Sequence, residues 1–212
     1  MRIWIRGISI FVLLTSIDLL ISYKDVMAYE EAKYTVIEKD GDFELRQYDP
    51  QIIAETIVEG DFEDVGNEGF RRIFEYISGN NRKKQSISMT APVSQEITSE
   101  KIAMTAPVNQ ERVANKWRIY FLMPSEYTIE TLPEPLDSRV VLRKIPGSLM
   151  ACIRYSGTWS KIRYEQKKAR LEGLIKKRIF KAIGDAIFAR YNPPFMLWFL
   201  RRNEVLIPVE RI

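Results

Sequence analysis

Histidine is absent from all 212 residues, and Cys152 is the only cysteine. The first absence excludes Ser-His-Asp and Cys-His catalysis, zinc sites that use imidazole, and the commonest general base near neutral pH. The second excludes an intramolecular disulfide, an iron–sulfur cluster and a thiolate zinc site. Charge of one sign is also lacking. The 32 Lys and Arg are interspersed with 28 Asp and Glu, for a net charge of +4. The cluster Lys176, Lys177 and Arg178 is short and helical in context, so no nucleic-acid partner is expected. The acidic pairs Glu63 with Asp64 and Glu130 with Glu134 fall at a helix start and in a linker, where carboxylates are ordinary. With no nucleophile–base pair and no phosphate loop, the chain reads as a binding protein and not as an enzyme.

What is present is the composition of one globular domain, 46% apolar and 28% charged. Residues 1–28 stand apart. Arg2 and Arg6 precede the apolar stretch from Ile8 to Ile21, and Val26-Met27-Ala28 places small residues where a signal peptidase cuts. The expectation is a signal peptide at 1–28, cleaved after Ala28, and export to a periplasmic or external compartment. The alternative is a membrane anchor formed by residues 8–21, although that run is short for a bilayer and carries Asp18. No other segment is expected to contact a membrane.

Residues 29–212 contain a repeat at a spacing of 97 residues. Phe43 to Tyr48, the turn Asp49-Pro50 and Gln51 to Val58 read as strand, turn and strand, followed by Gly60, Phe62 and an amphipathic helix. Val140 to Ile145, Pro146-Gly147 and Leu149 to Tyr155 repeat the pattern, followed by Gly157, Trp159 and a helix with Leu171 and Leu174. Leu45, Arg46, Ala54 and Gly60 recur as Leu142, Arg143, Ala151 and Gly157. Trp117 to Pro124, Met196 to Phe199 and Val205 to Val209 read as further strands. A smaller repeat, Ile87-Ser-Met-Thr-Ala-Pro-Val93 and Ile102-Ala-Met-Thr-Ala-Pro-Val108, reads as two edge strands ending at proline. Two such halves about a pseudo-twofold axis predict an α+β fold, a distorted antiparallel β-barrel with two flanking helices.

These segments resemble the SOUL haem-binding protein family from about Tyr34 to Glu210. The motifs are Gly79-Asn80-Asn81, the doubled Met-Thr-Ala-Pro-Val, Phe121-Leu-Met-Pro124, Tyr155-Ser156-Gly157, Ala189-Arg-Tyr-Asn-Pro-Pro194 and Leu200-Arg-Arg-Asn-Glu-Val205. The resemblance implies two pseudo-symmetric halves, which agrees with the repeat. It also implies haem or porphyrin held in an apolar cleft beside the first helix, without a histidine ligand. Phe70 and Phe74 then supply apolar contact, Arg71 a propionate partner, and Asn67 a polar group one turn earlier. Positions that are cationic in characterised mammalian members fall on Asn67 and Glu75. Met89 and Met104 offer soft ligands, and Tyr191 lies in a rigid loop able to line the cleft. Each has a structural reading too: Phe70, Phe74, Met89 and Met104 suit core packing, and Cys152 suits a buried strand position. The alternative function is a module for another apolar small molecule or a protein partner.

Overall fold

The computed structural model describes residues 29–84 and 98–212. The segment 1–28, expected to be a signal peptide, and Met89 lie outside the described residues, as does the first Met-Thr-Ala-Pro-Val copy. Glu31–Ile212 forms one compact unit. Its elements are β1 (Tyr34–Asp40), β2 (Phe43–Tyr48), β3 (Gln51–Val58), α1 (Phe62–Ile77), β4 (Val108–Val113), β5 (Lys116–Leu122), β6 (Val141–Ile145), β7 (Ser148–Tyr155), α2 (Lys161–Lys176), β8 (Phe180–Ala182), β9 (Ile187–Arg190) and β10 (Asn203–Arg211). Short pieces at Asn81–Arg82 and Glu134–Pro135 pair with each other.

The ten strands make one antiparallel sheet in the order β6, β3, β5, β4, β9, β10, β7, β2, β1, with β8 also on β10. From β6 to β2 this order is a palindrome. Exchanging β2 with β6, β3 with β7, β4 with β9 and β5 with β10 reverses it and leaves it unchanged. The register obeys the same rule. Arg143 lies opposite Ile53 in one ladder and Arg46 opposite Met150 in the other. Adding 97 to Arg46 and subtracting 97 from Met150 converts the second pair into the first. Gly60 and Gly157 both have left-handed φ values, 137° and 135°, and each precedes a 16-residue helix. Only glycine takes such a φ without strain.

Four details differ from the sequence reading. The strand–turn–strand units are not hairpins, because β2 pairs with β7 and β3 with β6. The ladder stays open, with β6 and β1 as its edges. Val108–Val113, to which the sequence reading gave no strand, is a central strand between β5 and β9, and the run Ile102–Val108, expected to be an edge strand, holds only the short strand Thr105–Ala106. Polar side chains hid β4. Gln110 is buried and donates to the Phe62 carbonyl at 2.8 Å, and Glu111 pairs with Arg118 at 3.0 Å. Met196 to Phe199, read as a strand, is a turn that runs into a 3-10 helix at Trp198–Leu200.

Strand alternation gives the sheet two faces. Leu45, Ala54, Ile119, Phe121, Ile153, Val205 and Ile207 lie on one face, in a single apolar core with Val65, Ile73 and Tyr76 of α1 and Tyr164, Leu171 and Ile175 of α2. Both helices therefore cover the same face. The opposite face carries Arg46, Tyr48, Tyr120, Cys152 and Glu204, and this is where polar chemistry is buried.

Candidate functional site

On α1 the line of closest contact with the sheet runs through Gly66, Gly69, Ile73 and Tyr76, all buried. Phe70 and Phe74 sit beside that line. Their rings stack at 5.5 Å and 12°, and Phe70 also meets Phe121 at 5.4 Å. Phe70 is half-buried against the core, whereas Phe74 is 44% exposed. The helix thus presents two nearly parallel rings, one anchored and one open to solvent.

Asn67 and Arg71 are exposed on the same stretch of helix. Arg71 is not a free cation. It donates to Glu68 Oε2 at 2.8 Å and to Glu75 Oε1 at 3.0 Å. Its hydrogen bond with Glu68 raises the guanidinium pKa and lowers that of Glu68. Met104 is half-buried and packs on the same core as Phe70. The segment that carries it is tied to the end of α1 by Ile102 N–H to the Ile77 carbonyl at 2.8 Å. The structure therefore gathers Asn67, Phe70, Arg71 and Phe74 on one exposed stretch of α1, with Met104 on the core beneath.

Tyr191 belongs elsewhere. It lies on the sheet face opposite the helices and borders a cavity of about 50 Å³ with Tyr48, Tyr120, Met150 and Leu206. Its hydroxyl donates to Glu204 Oε2 at 2.8 Å. Glu204, fully buried, also accepts two bonds from Arg46, at 2.7 and 3.1 Å, and one from Arg202 Nε at 3.0 Å. Arg46 in turn donates to Glu44 at 2.8 Å and to Tyr48 at 3.0 Å. Burial alone would raise the Glu204 pKa, but the bonds and charge of Arg46, with Arg202 and Tyr191, outweigh it and hold the carboxyl below its ordinary range. Burial, reinforced by the Glu204 charge, pushes the Cys152 thiol and the Tyr191 phenol well up. Both stay protonated at neutral pH.

Sequence reasoning paired Arg46 with Arg143 and suggested an ion pair between Arg202 and Glu204, but it had no means of bringing Arg46 to them, since Glu204 lies 158 positions from Arg46. The equivalent Arg143 pairs with Glu55 at 2.7 Å. Arg190, next to Tyr191 in sequence, points to the helix face. Its guanidinium lies 5.4 Å from the Trp159 ring and 5.8 Å from Phe188, and burial lowers its pKa to about 10. Two of the family-like motifs are structural staples. The Asn81 amide donates to the carbonyls of Tyr76 and Glu100, both at 2.8 Å. Asn203 accepts from Trp159 Nε1 at 2.8 Å and donates to the Gly157 carbonyl at 3.1 Å.

Comparison with known proteins agrees with this architecture. The family model described as SOUL heme-binding protein matches residues 29–208. Heme-binding protein 1 of Xenopus laevis is 26% identical over 171 residues, 79% of this chain and 84% of that protein. Human Heme-binding protein 2 is 26% identical over 174 residues, 77% of this chain and 80% of its own. Among solved structures, the EcmrR C-terminal domain superposes with a TM-score of 0.56 at 10% identity, covering 84% of this chain and 99% of that domain. A hydrolase from Listeria innocua gives 0.52 at 12% identity, covering 82% and 94%. At such identities the two structures share the fold alone.

Proposed function

Because the chain belongs to the SOUL haem-binding protein family, we propose that it binds haem or another tetrapyrrole on the exposed side of α1, as a carrier and not as a catalyst. The stacked, half-open Phe70–Phe74 pair carries this reading. A flat macrocycle gains most from a flat apolar partner, and ring-on-ring contact adds about 0.5–1.5 kcal/mol beyond area burial. Size argues against the other face. Ligand pockets hold about 300–1,000 Å³, and the cavity beside Tyr191 has about 50 Å³.

The residues fit the macrocycle better than they fit its iron. The chain has no histidine, and Cys152 and Tyr191 are buried, protonated and turned to the far face. Among the described residues the soft donors on the α1 side are Met104, half-buried on the core that supports Phe70, and Met123, buried within that core. Phe70 and Phe74 would hold the ring and Asn67 a polar edge. Arg71 would meet a propionate by releasing Glu68 or Glu75. The order of segments in residues 1–28 supports export, and mature protein beginning at Tyr29 in a mass spectrum would test it.

The binding test is a titration of residues 29–212 with haem and with iron-free protoporphyrin. Comparable saturable affinity for both, weakened in Phe74→Ala, is expected. The absence of a saturable spectral change with either would refute tetrapyrrole binding and point to another apolar ligand or a protein partner.

A further inference from the structure

The six residues from Phe195 to Leu200 present a surface unlike the rest of the domain. Phe195 is 69% exposed, Leu197 56%, Trp198 55%, Phe199 52% and Leu200 60%. Apolar side chains this dense on one exposed loop mark a surface that meets something else. The loop is nevertheless well ordered by its own bonds. Met196 N–H reaches the Pro193 carbonyl at 3.1 Å and Leu200 N–H the Leu197 carbonyl at 2.9 Å. Arg201 donates to the carbonyls of Met196 at 2.8 Å and Pro194 at 2.6 Å, and stacks 4.4 Å over the Trp159 ring. The side chains are thus offered outward while much of the backbone polarity is satisfied within. An apolar medium demands both.

We infer that this loop inserts into the interfacial region of a lipid bilayer and docks the domain on a membrane surface. Two observations favour lipid over a protein. First, a stable protein interface buries about 800 Å² of each partner, more than one six-residue loop presents, whereas shallow insertion needs only a few aromatic and aliphatic side chains. Second, the set is Phe, Leu, Trp, Phe and Leu, an aromatic and aliphatic set suited to the boundary between acyl chains and headgroups. Arg201 and Arg202 are already engaged by internal carbonyls and carboxylates, so the attraction is apolar and only weakly dependent on salt.

Among the described residues, Glu31–Ile212 contains the ten-stranded sheet, α1, α2 and the apolar core, so residues 29–212 suffice for the test. They are floated with uncharged phosphatidylcholine vesicles at low and high salt, and tryptophan emission is followed. Trp117 is buried and Trp159 half-buried, so a blue shift on vesicle addition reports Trp198 and should vanish in Trp198→Phe. Wild type should bind at both salt concentrations. Trp198→Ser and Phe199→Ser should each weaken partitioning by about tenfold, with thermal unfolding unchanged because these side chains are exposed. The inference is overturned if wild type does not float, if the serine variants float equally well, or if high salt releases the protein. It also fails if the loop drives self-association, abolished by the serine variants, without vesicle binding.

Discussion

Replacing Glu204 with Gln tests what holds the two halves of the sheet together on the face without helices. The carboxylate is fully buried and receives four hydrogen bonds, two from Arg46, one from Tyr191 and one from Arg202. Glutamine keeps the shape and one acceptor. Its amide, however, would place N–H donors where Arg46 Nη1 and the Tyr191 hydroxyl now donate. Removing one member of a buried pair costs about 3–5 kcal/mol, because the surviving charge is left uncompensated. Arg46 retains Glu44 at 2.7 Å, so the lower end, about 3 kcal/mol, is expected. For a domain of this size that corresponds to a fall in Tm of about 6–12 °C. Urea unfolding followed by circular dichroism and by tryptophan emission measures it. The pH dependence adds a check on sign. The folded pKa of Glu204 lies below its unfolded value. Its stabilisation is therefore fully present above the unfolded pKa and is lost as pH falls through the folded one. The difference between wild type and Glu204→Gln should be constant near neutrality and shrink in acid. A loss below about 1 kcal/mol, or a difference that grows in acid, would refute the network's role. Lys144→Ala, which breaks the exposed pair with Glu130, should change stability by less than about 0.5 kcal/mol.

Three further outcomes follow from the packing. Phe74→Ala should cost less than about 1.5 kcal/mol, because Phe74 is 44% exposed, and Phe70→Ala distinctly more, because Phe70 rests on Phe121; denaturant melts of the two variants, beside their porphyrin titrations, separate ligand contact from core. Gly69→Ala should destabilise by about 1–3 kcal/mol, since a Cβ there would collide with the Ile119 side chain, and equilibrium unfolding reads this directly. Cys152, buried with its thiol pKa raised, should resist a thiol reagent in the native protein and react at once in denaturant.

Much of the architecture is legible in the residues themselves. The spacing that carries Arg46 onto Arg143 and Gly60 onto Gly157 reappears as equal pairing registers and equal left-handed turns. The class, the two helices and the two-half organisation follow from that repeat, because each copy brings one apolar strand face and one apolar helix stripe that must be buried together. Strand partners do not follow. A period of two states which side chains share a face but not which strand lies alongside, so the exchange of β2 and β6 between the halves is a decision of the whole sheet. β4 is central because Gln110 and Glu111 find partners on Phe62 and Arg118, which no local propensity anticipates. On α1, judging the buried side by its largest apolar residues places Phe74 in the core. The close approach of Gly69 to Ile119 instead brings the glycine line against the sheet, and that turns Phe74 outward. The candidate site is a product of that rotation. Its residues are all present in the sequence, but only the packing of α1 on β5 determines which of them face a ligand.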